Sequence, residues 1–170
     1  MYRKADFLKS LKHEVKIIKH LAAQLGEAQL GYRPTPPQRS TLEVIQYLSY
    51  APLATIEYLV SGSWDHYEAM AEAAKQVTPA SFAKTIDKQL AAITRKLSKH
   101  NDAKILRTTV KSWSGKKMGF GEALIELVLK TATAYRMQLF LYAKASGSAQ
   151  LTSTDCWQGV PAKLKAAAKA

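Results

Sequence analysis

Thiols are almost absent. Cys156 is the one cysteine in the 170-residue chain, so neither an internal disulfide nor a cysteine-cluster metal site can form. Histidine is scarce as well. His13, His20, His66 and His100 include no His-x-x-x-His or Glu-x-x-His pair, which excludes the carboxylate–histidine set of a di-iron bundle. There is no glycine-rich phosphate loop, no dinucleotide fingerprint and no Ser-His-Asp order, the usual signs of nucleotide binding and triad hydrolysis. No apolar run approaches the ~20 residues of a membrane span. The start, Met1 to Asp6, lacks the apolar core of a secretory leader; the expectation is a cytoplasmic protein with no membrane span. Acidic side chains are the other shortage, 13 Asp and Glu against 25 Lys and Arg, for a net charge of +12. Such an excess suits nucleic acid or anionic surfaces. Here, however, Lys9, Lys12, Lys16 and Lys19 line the outer side of one predicted helix. Arg95, Lys96 and Lys99 end another, and Lys163, Lys165 and Lys169 lie in the tail. Cations near a helix C-terminus complement its dipole, so the charge reads as a solvated basic surface and a nucleic-acid partner is not expected.

Helical periodicity dominates what is present. Leu8, Leu11, Val15, Ile18, Ala22 and Leu25 are spaced 3-4-3-4-3, the seam of a bundle helix, with Gly26 as its stop. That phase puts His13 and His20 on the opposite, lysine-flanked side, as exposed imidazoles. Three prolines between Gly31 and Arg39 make an extended connection. Ser40-Thr41-Leu42-Glu43 is a capping box opening a second helix through Leu42, Ile45, Leu48, Ile56 and Leu59, which Pro52 should kink. Trp64 to Gln76 reads as a short accessory helix. Thr78-Pro79 starts a third bundle helix, with Phe82, Ile86, Leu90, Ile93 and Leu97 on its face. Asn101-Asp102 marks its exit, with His100 at the helix end as a cation suited to the dipole. Strand formers around Trp113 and a turn at Ser114-Gly115 predict a small hairpin within 105–118. The last long helix is predicted from about Gly121 to Ser146, closed by Gly147. The expected fold is all-α: a four-helix bundle over residues 1–147, helices antiparallel, and an irregular or weakly helical C-terminal extension over 148–170.

Two stretches resemble a known family. Arg33-Pro34 followed by Ser40-Thr-Leu-Glu-Val-Ile-Gln-Tyr47-Leu48 is similar to the second-helix signature of DinB-like proteins, in which a serine and a glutamate precede a histidine and a leucine. Tyr135-Arg136-Met137-Gln138-Leu139, with Gly147 downstream, resembles the last-helix signature, often a histidine, three residues, then a second histidine followed by Arg-x-Gln. The likeness runs from about Leu8 to Gly147. It implies a four-helix bundle, often a homodimer, with a divalent metal on three histidines at one end. Members with known chemistry include thiol-dependent transferases and isomerases, and many have none assigned.

Aligning the motifs puts Tyr47, Thr131 and Tyr135 at the three histidine positions. None is an imidazole. Divalent ions of this kind want imidazole, thiolate or carboxylate, and a free phenol ionises only near pH ~10. The expectation is that the family metal is lost, with no cofactor in its place. Thr131, Tyr135, Gln138 and Tyr142 share one stripe of the last helix, and Glu43, Tyr47 and Tyr50 one stripe of the second. Two readings stand: phenols bonding one another and water in a former metal cavity, or a cleft for a small polar ligand. Arg136 and Gln138 serve as supports in either, and Glu43 is already explained by the capping box. Alternatives are a metal- or thiol-dependent transferase or hydrolase using replacement ligands, and a binder of nucleic acid or anionic surfaces through the basic charge. Cys156 has no histidine near it in sequence and is not read as a nucleophile.

Overall fold

A computed structural model describes residues 3–161; the tail lysines Lys163, Lys165 and Lys169 lie outside them. Helix α1 (Lys4–Ala22) is followed by a 3-10 turn at Glu27–Gln29 and the proline-rich connection. Ser40 then caps α2 (Thr41–Leu48) reciprocally: its hydroxyl accepts from the Glu43 amide (3.2 Å) and its amide donates to the Glu43 carboxylate (2.6 Å). Pro52 divides the second bundle helix instead of bending it. The chain leaves helical geometry at Tyr50 (φ −135°, ψ −31°) and restarts as α3 (Ala51–Ser61), with the proline in its first turn where a missing amide costs nothing. Gly62, at φ +75°, ends α3.

The accessory segment is α4 (Tyr67–Ala74). Thr78 caps α5 (Pro79–Ser98). Asn101 does not simply mark an exit. Its side chain accepts from the Lys104 amide (2.8 Å) and caps a further short helix, α6 (Asp102–Arg107). The hairpin β1 (Thr109–Lys111) and β2 (Lys117–Gly119) pairs antiparallel with Val110 opposite Met118, and Gly115 takes φ +80° at its turn. The last long helix comprises α7 (Phe120–Ala123), a π-helical turn at Leu124–Leu129 and α8 (Lys130–Ala145). Within the expected extension, residues 153–158 form a helix, α9 (Ser153–Gln158), capped by Thr152 and packed on α1 and α8.

Two apolar clusters show how the bundle is threaded. One gathers Val15, Ile18 and Leu21 of α1 with Val44, Ile45 and Leu48 of α2, Phe82 and Ile86 of α5 and Leu139 of α8. The other gathers Phe7 and Leu11 with Ile56 and Leu59, Ile93 and Leu97, and Phe120, Leu124 and Val128. Thus α1 and the last helix run one way, and α2–α3 and α5 the other. The antiparallel relation holds between α1 and α5 and between α2–α3 and α8. Helix α4 carries the chain back between α3 and α5, so those two run in parallel.

Helix α1 buries a wider face than its expected seam. Ile17 and Leu21 are buried with Leu11, Val15 and Ile18, because α9 covers a second side. There His20 is not an exposed imidazole: its Nε2 lies 2.8 Å from the buried Asp155 carboxylate. No helix among the described residues is long and apolar enough to cross a membrane.

Candidate binding cleft

The capping box fixes the register of α2 and so places Tyr47 against α8, where its ring meets Tyr135 at 4.5 Å between centroids and 42°. The break before Pro52 puts Tyr50 between helices. Its ring stands edge-on to Tyr47 (5.6 Å) and to Tyr67 (5.5 Å), and its hydroxyl donates to the Tyr67 hydroxyl at 3.2 Å. Tyr67 meets Trp64 edge-on at 5.2 Å, and Trp64 stacks on Tyr58 at 4.2 Å and 14°. Six rings, from α2, α3, α4, α8 and the connections that carry Tyr50 and Trp64, therefore touch in succession. Such contacts stabilise by ~0.5–1.5 kcal/mol each beyond the area they bury.

Between these elements lies a cleft of about 420 Å³ lined by Tyr47, Thr55, Trp64, Tyr67, Trp113 and Thr131. Tyr58 braces it twice, stacking on Trp64 and donating its hydroxyl to the Ser112 carbonyl (3.1 Å), which holds Trp113 and the hairpin beside α3. Thr131 sits just after the π-turn, and its hydroxyl donates back to the Leu127 carbonyl (2.9 Å) within that turn. Such turns displace a helix from its 3.6-residue phase and recur at functional sites. Arg39 lies against the far members of the ring series, its guanidinium 4.2 Å from the centre of Tyr47 and donating to the Tyr135 hydroxyl at 2.8 Å.

Protonation follows from burial. Desolvation pushes the Tyr47 hydroxyl up to about 12, the neighbouring Tyr135 and Tyr67 adding to the shift and Arg39 opposing it. Tyr50 is pushed further in the same direction by burial and by its bond to Tyr67. Both phenols are neutral hydrogen-bonding groups at physiological pH.

Of the three positions aligned with family histidines, Tyr47 and Thr131 line the cleft and Tyr135 packs on the Tyr47 ring. The supporting residues divide differently. Glu43 closes the α2 cap and meets Arg33 at 3.1 Å; the Ser40 amide holds its carboxyl below the usual range. Gln138 donates to the Tyr142 hydroxyl (2.7 Å), and Tyr142 is buried edge-on to Tyr32. Tyr142 belongs to the first apolar cluster, and neither residue lines the cleft: eleven residues of helix from Thr131 to Tyr142 span ~16 Å. Arg136 also lies elsewhere. It is turned about a quarter of the helix from Tyr135 and is buried toward α1 and α9. There its Nε is 2.7 Å from the Glu14 carboxylate, out of line for a hydrogen bond, and its Nη1 donates to the Cys156 carbonyl.

Cys156 is buried, and desolvation pushes its thiol up despite Arg136. His100 is no dipole-matched cation: burial, with Lys104, Lys4, Lys96 and Lys99 around it, lowers its pKa and favours the neutral ring. Sequence reasoning missed Thr55, Tyr58, Tyr67 and Arg39 as site residues, and used Trp64 and Trp113 only to place elements. The clustering of aromatics between Tyr47 and Tyr67 was the available signal.

No family model and no curated protein matches the sequence. Among solved structures, the chain is similar to a DinB-like protein from Bacillus cereus ATCC 10987, with a TM-score of 0.66 and 18% identity over 86% of this chain and 95% of that one. It is also similar to a DinB-like protein from Bacillus subtilis, with a TM-score of 0.61 and 15% identity over 83% and 91% of the two chains. The likeness over most of both chains gives this chain a DinB-like fold.

Proposed function

We propose that this chain is a ligand-binding DinB-like protein that holds a small polar molecule in the cleft and does so without a divalent metal. The observation that carries this reading is the lining itself, four aromatic rings and two threonines meeting at Tyr47 and Thr131. Flat side chains supply stacking area, and a few hydroxyls fix orientation, the usual division of labour in a small-molecule site.

The three residues aligned with metal ligands do not fit such an ion. The Tyr47 phenol keeps its proton far above neutral pH. The Tyr135 hydroxyl accepts from Arg39, and the Thr131 hydroxyl donates to a backbone carbonyl. A guanidinium 4.2 Å from the Tyr47 ring opposes a second cation. General acid–base work needs a group titrating near ambient pH, which a phenol held near 12 does not supply. Binding therefore fits the site better than turnover.

Titrating isotope-labelled protein with a set of small aromatic alcohols and acids tests the proposal. The indole N–H signals of Trp64 and Trp113 should shift while that of Trp157 stays fixed. The Tyr47→Phe/Thr131→Val pair should weaken binding about ten-fold, the loss of one or two hydrogen bonds, with an unchanged melting temperature. Shifts confined to other parts of the bundle would refute it.

A further inference from the structure

We infer that the ligand of this cleft is an aromatic acid, a flat ring carrying a carboxylate or phosphate; the inference rests on the binding role proposed above. Ring recognition comes from the walls. One face of Trp64 is already stacked on Tyr58, and Trp113 is held at the lining by the bond from Tyr58 to the Ser112 carbonyl. Trp64 is 38% and Trp113 56% exposed, so both keep apolar surface that a planar guest would cover. A space of about 420 Å³ accommodates a ring with a polar substituent.

The acid comes from the charge around the mouth. The hairpin residues 109–119, which carry Trp113, contain Lys111, Lys116 and Lys117 and no acidic residue. All three are exposed, and no ion pair joins any of them to a carboxylate among the described residues. Arg39 adds a guanidinium behind Tyr47. Against these stand the two exposed carboxylates Asp65 and Glu68, adjoining Trp64 and Tyr67 in sequence. Aromatic faces on their own would favour a cation. Four positive charges against two negative ones reverse that preference, and the hairpin places three of the four within four residues of Trp113.

Matched probes read at the Trp64 and Trp113 indoles decide the matter: 4-hydroxybenzoate against 4-hydroxybenzyl alcohol, adenosine monophosphate against adenosine, and benzyltrimethylammonium as the cation. Each acid should bind about five-fold tighter than its neutral partner at ~10 mM salt, and less than about two-fold tighter at ~0.5 M, as screening removes the field of exposed charges. The triple variant Lys111→Ala/Lys116→Ala/Lys117→Ala should lose the preference and keep its affinity for the neutral rings. The tighter of the two acids tells a nucleotide from a small aryl acid. Equal binding of acid and neutral partner, or a tighter cation, with the indoles still shifting, overturns the acid assignment and leaves the cleft as a binding site. No indole shift with any probe overturns the binding role itself.

Discussion

Tyr47 shows how one side chain changes meaning with its surroundings. A phenol at a position expected to ligate a metal is ambiguous in sequence, because an ionised phenol is a ligand and a neutral one a hydrogen-bond donor. Burial among Tyr135, Tyr50 and Tyr67 favours the neutral form. The folded protein then holds this proton more tightly than the unfolded chain. The resulting stability is complete below pH ~10 and is lost as pH rises toward about 12. Urea midpoints should therefore fall across that window, and Tyr47→Phe should flatten part of the fall; an identical alkaline decline in the variant would show that Tyr47 titrates normally. Arg136 is the opposite case, a motif residue whose place the motif does not disclose. It is 1% exposed and faces Glu14. Removing one partner of a buried pair leaves the other uncompensated, so Arg136→Ala should cost about 3–5 kcal/mol in chemical denaturation. A loss under 1 kcal/mol would mean that the pair is solvated.

At the level of elements, periodicity and capping were legible and inter-element cover was not. The seam of α1, the cap of α2, the Thr78-Pro79 start of α5 and the hairpin turn follow from local rules that act within a few residues. The second buried face of α1, with Ile17 and His20, depends on α9, and nothing in α1 announces that a helix 130 residues away will lie on it. Nor does a 3.6-residue pattern reveal the π-turn before Thr131. Gly159 makes the cover of α1 possible. It ends α9 at φ +60°, and a Cβ there would lie 2.9 Å from the Ile17 Cα and 3.2 Å from its amide nitrogen. Gly159→Ala combines left-handed strain with a backbone clash and should destabilise the protein by about 2 kcal/mol or more, with faster exchange of the α9 amides. Unchanged stability and exchange would show that α9 packs more loosely than this contact requires.

For the molecule as a whole, four long amphipathic segments were enough to point to an all-α bundle, and the motifs around Tyr47 and Tyr135 to the DinB-like fold. The direction of each helix was not legible, since an apolar stripe reads the same in either sense; α4 decides it by returning the chain. The cleft was half legible for the same reason. Tyr47 and Thr131 came from motif positions, whereas Trp64, Tyr67 and Trp113 arrive from connections whose paths only the fold defines. The central claim is that this scaffold binds through rings and hydroxyls where a cation would otherwise sit. Elemental analysis of protein purified without chelator, followed by equilibrium dialysis against Zn²⁺ and Ni²⁺, tests it most directly. The account predicts far less than one ion per chain in both, with no difference between the wild type and Tyr135→Phe. One tightly held ion per chain that disappears in Tyr135→Phe would contradict it.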